Sequence, residues 1–125
     1  TKRIQGIATN QAGNYEAHDL VAGNILFNSN IAFTGTWYFN AASPGDYCEI
    51  SGSKGSIRFS FFSNSFIELT VNGNTTKYTF DVLQHVQQPM IEKTVSYFLG
   101  KAKNPCSGYE AAIIMRWMEI FVSGR

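Results

Sequence analysis

The chain has little of most things that would place it at once. Its 125 residues include only two cysteines, Cys48 in a strand-like run and Cys106 in a loop. They fit neither a metal-ligand spacing nor the dense disulfide framework of a small secreted domain, so both are expected to be free thiols. Ten basic and nine acidic side chains leave a formal charge of +1, with no run of either sign. Binding to nucleic acid through a cationic field is therefore not expected, because displacing counterions from phosphates needs clustered Lys and Arg. No apolar run approaches the ~20 residues that a membrane-spanning helix needs, so no membrane partner is expected either. The start, TKRIQGIATNQ, has no initiator methionine and no signal-like hydrophobic region, and it enters a strand pattern almost at once. It reads as a piece cut from a longer chain.

Complete catalytic sets are also missing. No serine stands in a nucleophile-elbow setting, and no histidine–acid pair can be assigned to one. Glu16 and Asp19 share a loop, but nothing in the sequence points to a raised pKa for either. His18 has no Cys or His at a ligand-like interval and reads as a surface residue. No catalytic, cofactor-binding or metal-ligating residue is assigned to this chain.

What is present is apolar surface. A content of 44% hydrophobic and 14% aromatic residues is enough to bury a core in one domain spanning residues 1–125. Alternating β-branched and aromatic residues between Asn-, Gly- and Ser-rich turns predict seven strands, near Lys2–Thr9, Asp19–Phe27, Ile31–Phe39, Tyr47–Gly52, Ser56–Phe61, Phe66–Val71 and Thr76–Phe80. The connections NSN, SKG and NGNT are of hairpin length, so neighbouring strands should be antiparallel. In the third strand Ile31, Phe33, Gly35, Trp37 and Phe39 share one face, while Ala32, Thr34, Thr36 and Tyr38 share the other. Neither face is strongly polar, which suggests a partner on the second one.

The last third changes period. Ile91, Val95, Phe98 and Leu99 form a helical stripe ending at Gly100, and Pro89 is tolerable near the first turn. SGYE then opens a second helix, with Ser107 and Glu110 spaced as a capping box. Ala111, Ile114, Met115, Met118, Phe121 and Val122 follow as its expected buried face. The fold class is therefore α+β: an open-faced, mostly antiparallel sheet with two carboxy-terminal helices packed on one face.

One stretch, CEISGSKGSIRF at residues 48–59, resembles a phosphate cradle. It joins strand to strand, however, and leads into no helix. A dinucleotide fingerprint or P-loop works by offering phosphate a helix amino terminus, so GSKG reads as a hairpin turn with Lys54 at its tip. His85, Gln84, Gln87 and Gln88 gather hydrogen-bonding groups where the last strand enters the first helix. Such a junction suits ligand contacts, and equally helix capping.

These pieces carry a resemblance. GIATNQAGNYEAHDLVAGNILFNSNIAFTGTW, DYCEISGSKGSIRFS, HVQQPMIEKTVSYFLGK and CSGYEAAIIMRWMEIF, in that order, resemble the carboxy-terminal domain of the Gfo/Idh/MocA oxidoreductases over nearly the whole chain. The resemblance implies a parent with an amino-terminal Rossmann domain that binds NAD or NADP, and hydride transfer to or from a sugar, polyol or related diol. It also implies a homo-oligomer formed through the open sheet face. The family's glycine-rich turn, Glu-Lys-Pro lysine and Asp-x-x-x-His pair are not found here, so this chain should bind no nicotinamide cofactor and be inactive alone. Substrate contacts are implied at Trp37, Tyr38 and Phe39 and at the helix entry, His85, Gln87 and Gln88. Aromatic faces suit the C–H side of a sugar, and Gln or His its hydroxyls. Core packing is the alternative for Trp37 and Phe39. A non-catalytic binding or scaffold domain is the rival for the chain as a whole, and a cytoplasmic location is the expectation.

Overall fold

The computed structural model of the chain describes residues 1–62 and 66–124. Packing divides them into two units, one of Thr1–Ala42 with Tyr97–Arg125 and the other of Ser43–Ser96.

In the first unit β1 (Arg3–Thr9), β2 (Leu20–Leu26) and β3 (Ala32–Tyr38) form an antiparallel sheet in the order β1-β2-β3. Its register aligns Gly6, Gly23 and Gly35 in one row across the three strands. Strand glycines remove side chains from a sheet face and allow another element to approach closely. Here that element is the second helix, and its Phe121 lies over the row. A Cβ on Gly6 would meet the Phe121 Cα at 2.3 Å, and one on Gly23 would meet the ring at 2.5 Å. Phe121 is 4% exposed, stacks parallel to Phe33 at 6.5 Å and lies 6.0 Å from the Trp37 ring.

The two helices, α1 (Gln88–Phe98) and α2 (Gly108–Ser123), begin and end where the sequence signals them. Ser107 caps α2: its Oγ accepts the Glu110 N–H at 3.2 Å, and the Glu110 carboxylate accepts the Ser107 N–H at 2.9 Å. The helix closes on Gly124, whose φ of 68° is left-handed. The packed face of α2 differs from the expected one. Phe121 is buried, with Ile113, Trp117 and Ile120 half-buried beside it, whereas Ala111, Ile114, Met115, Met118 and Val122 are exposed. The helix is apolar around most of its circumference, so periodicity alone could not choose a face. The glycine row chose it by admitting Phe121, and Trp117 then meets Phe27 edge-on at 5.7 Å.

In the second unit β4 (Cys48–Gly52), β5 (Gly55–Phe59), β6 (Phe66–Val71) and β7 (Asn74–Thr79) form a separate antiparallel sheet in chain order. The register separates its faces sharply. One face carries the row Glu49, Arg58, Glu68, Lys77, with charges alternating in sign, beside the hydroxyl row Ser51, Ser56, Thr70, Thr75. The other carries Ile50, Ile57 and Leu69, beside Phe59, Ile67 and Tyr78. Asp46 ties the segment after β5 to the start of this unit by accepting the Ser60 hydroxyl and the N–H groups of Phe61 and Phe62, at 3.2 and 2.6 Å for the latter two.

The α+β class and the open antiparallel strands agree with the sequence reading. Two details do not. The strands divide into two sheets, and among the described residues only α2 packs on one. The α1 stripe of Ile91, Val95 and Phe98 is 51–80% exposed and rests on none of the described strands. The described core is consequently small: Ile25 and Phe121 are its buried apolar side chains. Among the described residues, a three-stranded sheet packed by one helix and a four-stranded sheet on which no helix packs enclose little volume.

Candidate functional site

The six residues proposed from the sequence fall into two groups. Trp37, Tyr38 and Phe39 end β3 in the first unit; His85, Gln87 and Gln88 lead into α1 in the second. Within the first group the pleat separates neighbours. Trp37 shares the helix-covered face with Phe33 and leans on Phe121, so much of its surface serves packing. Tyr38, paired with Leu20, stands on the opposite face and is 45% exposed. Phe39, just past the strand, is 78% exposed, with its backbone N–H held by the Asp19 carbonyl at 2.8 Å. Of the three, Phe39 has the freest ring.

Asp19, weighed in the sequence only as an acid/base group, proves to be an anchor beside Phe39. It is the buried charged residue among those described, and its two carboxylate oxygens accept the N–H groups of Gln11 and Ala12, each at 2.8 Å. Its own N–H reaches the Thr9 carbonyl at 3.1 Å. The two loop N–H groups hold its carboxyl below the usual carboxylate range, with burial opposing them and His18 adding a small favourable charge. No sequence signal singled it out: an Asx turn bonds the backbone two residues on, whereas Asp19 reaches back seven and eight residues.

At the second group, the His85 carbonyl accepts the Gln88 N–H and the Gln87 carbonyl accepts those of Met90 and Ile91, all at 3.1 Å. These bonds build the first turn of α1. The Gln88 side chain donates to Glu92 Oε1 at 2.8 Å along the same helix. The His85 and Gln87 side chains are exposed.

The glycine–lysine stretch is a hairpin, as read. Ser53 and Lys54 connect β4 to β5, and Gly55 is required because a Cβ there would lie 2.2 Å from the Thr70 carbonyl oxygen. An open depression of about 390 Å³ lies at this tip and the adjacent Asn72–Gly73 turn. No helix starts from it, so it does not fit a dinucleotide pyrophosphate, and none of the six candidate residues lines it. Among the described residues no group of three or more His, Cys, Asp and Glu could hold a metal ion. Nor is any described helix long and apolar enough to cross a membrane.

Comparison with known proteins gives these features a context. No family model matches the chain. Oxidoreductase P35 of Formosa agariphila is 46% identical over 108 residues, which is 86% of this chain but 33% of that protein. The fold is shared with aldose-aldose oxidoreductase of Caulobacter crescentus, solved with glycerol, at a TM-score of 0.73 and 12% identity over 98% of this chain and 39% of that one. It is shared as well with a Klebsiella pneumoniae protein assigned to the oxidoreductases, at 0.71 and 13% identity, over 93% and 38%. The chain thus spans about a third of the curated relative it matches. The likenesses are to part of larger oxidoreductases, in keeping with the resemblance read from the sequence.

Proposed function

We propose that this chain is the substrate-recognition and subunit-contact part of an oxidoreductase that uses NAD or NADP and acts on a sugar, polyol or related diol. The observation that carries the reading is the 46% identity to an oxidoreductase across 86% of the chain. A polyhydroxylated substrate is supported by the shared fold with an aldose-aldose oxidoreductase and by the chemistry of the candidate residues. In the first unit Phe39 offers its exposed aromatic face to ring C–H groups, with Tyr38 exposed on the other face of the strand; in the second, His85, Gln87 and Gln88 carry donors and acceptors suited to hydroxyls.

In this reading the cofactor sits on an amino-terminal Rossmann domain of the parent, as the family resemblance implies, and the hairpin turn at Lys54–Gly55 takes no part in binding it. Two exposed apolar surfaces support contacts with other parts of the assembly. The α2 stripe of Ile114, Met115, Met118 and Val122 suits that Rossmann domain. The apolar face of β4–β7 suits a second copy in a cytoplasmic homo-oligomer, since it carries no carboxylate, Lys or Arg to repel its own image. The test is turnover of the full-length parent against a panel of sugars and polyols with both nicotinamides. Turnover of at least one such substrate is expected; no turnover together with no NAD(P)H binding by the intact parent would overturn the reading.

A further inference from the structure

The connection between β1 and β2 is far longer than the sheet requires. Thr9 pairs with Leu20, so the ladder runs to the very ends of both strands. A two-residue turn would close such a hairpin, yet ten residues, 10–19, stand between them. Irregular loops of this kind carry function or lack order. This one is ordered from both ends. At one end the Asn10 side chain accepts the Gly13 N–H at 2.8 Å and donates to the Tyr15 carbonyl. At the other, the buried Asp19 carboxylate holds Gln11 and Ala12. Removing a carboxylate from water is costly, and here two charge-assisted bonds offset it to fix nothing but the loop.

The loop is fixed where the candidate substrate aromatics end, because the Asp19 carbonyl also holds the Phe39 N–H. Two exposed aromatics belong to this assembly, Tyr15 at 77% and Phe39 at 78%. The same loop presents Gln11, Asn14, Glu16 and His18, all exposed. Amide, imidazole and carboxylate groups beside aromatic rings, without an excess of one charge, suit a neutral polyhydroxylated ligand better than an anion or an apolar one.

We propose that the Asn10–His18 loop is a saccharide-binding rim continuous with Phe39, and that Asp19 is the positioning residue that holds it. The proposal extends the functional reading, in which Phe39 contacts substrate, by adding a wall that engages sugar units beyond the reacting one.

The test uses the chain labelled with ¹⁵N and titrated with glycerol, D-glucose and the disaccharide cellobiose while amide shifts are followed. With cellobiose, the Gln11, Ala12, Tyr15 and Phe39 amides should move on one saturation curve. Asp19→Asn should weaken binding about fivefold or more while the β1–β3 amides keep their positions. Tyr15→Ala removes only an exposed ring; it should weaken binding comparably and carries the test if Asp19→Asn fails to fold. Loop amides that stay still while Phe39 or the His85–Gln88 amides move would overturn this proposal and leave the functional reading standing. Loop amides that move while those residues stay still would overturn the continuity of the rim with Phe39 and the substrate-contact reading of Phe39 together. No shift with any probe, or an Asp19→Asn variant that melts earlier but binds equally well, would overturn the rim or the positioning role respectively.

Discussion

The ring of Phe121 occupies the space that a side chain at Gly23 would fill: a Cβ added there would lie 2.5–2.6 Å from three ring carbons. With Gly6 and Gly35 in the same row, the first sheet is shaped to receive one aromatic residue from α2. The three glycines are not equivalent. A Cβ at Gly6 collides with the backbone of Phe121, whereas one at Gly35 meets the outer atoms of Trp37 and Phe33 at 2.7 and 2.8 Å. Gly6→Ala should therefore lift α2 from the sheet and cost about 1–3 kcal/mol, the usual range for overpacking. Gly35→Ala should cost less, because rings can turn and backbone cannot. Urea denaturation of both variants decides it; equal costs would remove the glycine-row account.

That row also marks the limit of what the sequence disclosed. Local signals were legible because they are local: Asn72 and Gly73 adopt φ of 51° and 78° in the β6–β7 turn, and Ser107 with Glu110 forms its capping box. The β6–β7 turn proved tighter than NGNT suggested, so β7 begins at Asn74, not Thr76. The helix face that would be buried was not legible. Ile114, Met115 and Met118 are as apolar as Ile113, Trp117 and Ile120, and the choice between the stripes depends on a cross-strand alignment of three glycines far apart in sequence. The division into two sheets and the unpacked α1 depend likewise on long-range pairing that periodicity does not encode. For the candidate site, exposed aromatics could be listed from the sequence, but not the Asp19 clasp beside Phe39.

The α2 cap makes a simple stability test. Ser107 Oγ satisfies one of the free N–H groups of the first turn, and the Glu110 carboxylate returns a bond to the Ser107 N–H. Ser107→Ala should cost about 0.5–2 kcal/mol in thermal or chemical unfolding, while Ser107→Asp should retain most of the cap. No loss on Ser107→Ala would mean that α2 is held by Phe121 packing alone.

Self-association through the second sheet has its own residue-level test. Ile50 lies on the edge strand β4, on the apolar face, and is 59% exposed. A charge there should not unfold the chain, because little of the side chain is buried. Ile50→Lys should shift sedimentation towards monomer at a concentration where the unaltered chain associates. Glu49→Lys, on the opposite face, should not. If both variants associate as the parent chain does, the contact lies elsewhere.

The Asp19 clasp predicts a pH dependence of defined sign. Its carboxyl is held below the ordinary value of 3.8 because the Gln11 and Ala12 N–H groups bind the ionised form. A carboxyl whose folded-state pKa is depressed adds stability that is fully present above its unfolded value and disappears as pH falls through the folded one. The Gln11 and Ala12 amides should accordingly be protected from hydrogen exchange near neutrality and lose protection only below about 3.8. In Asp19→Asn the same amides should exchange faster at neutral pH, with a far smaller response to acid, since the amide oxygen carries no charge to lose. Glu110 titrates in the same direction through its bonds to Ser107, so α2 amides serve as an internal comparison within each sample. Acid-induced exchange at Gln11 and Ala12 that is equal in both proteins would show that the loop opens for another reason.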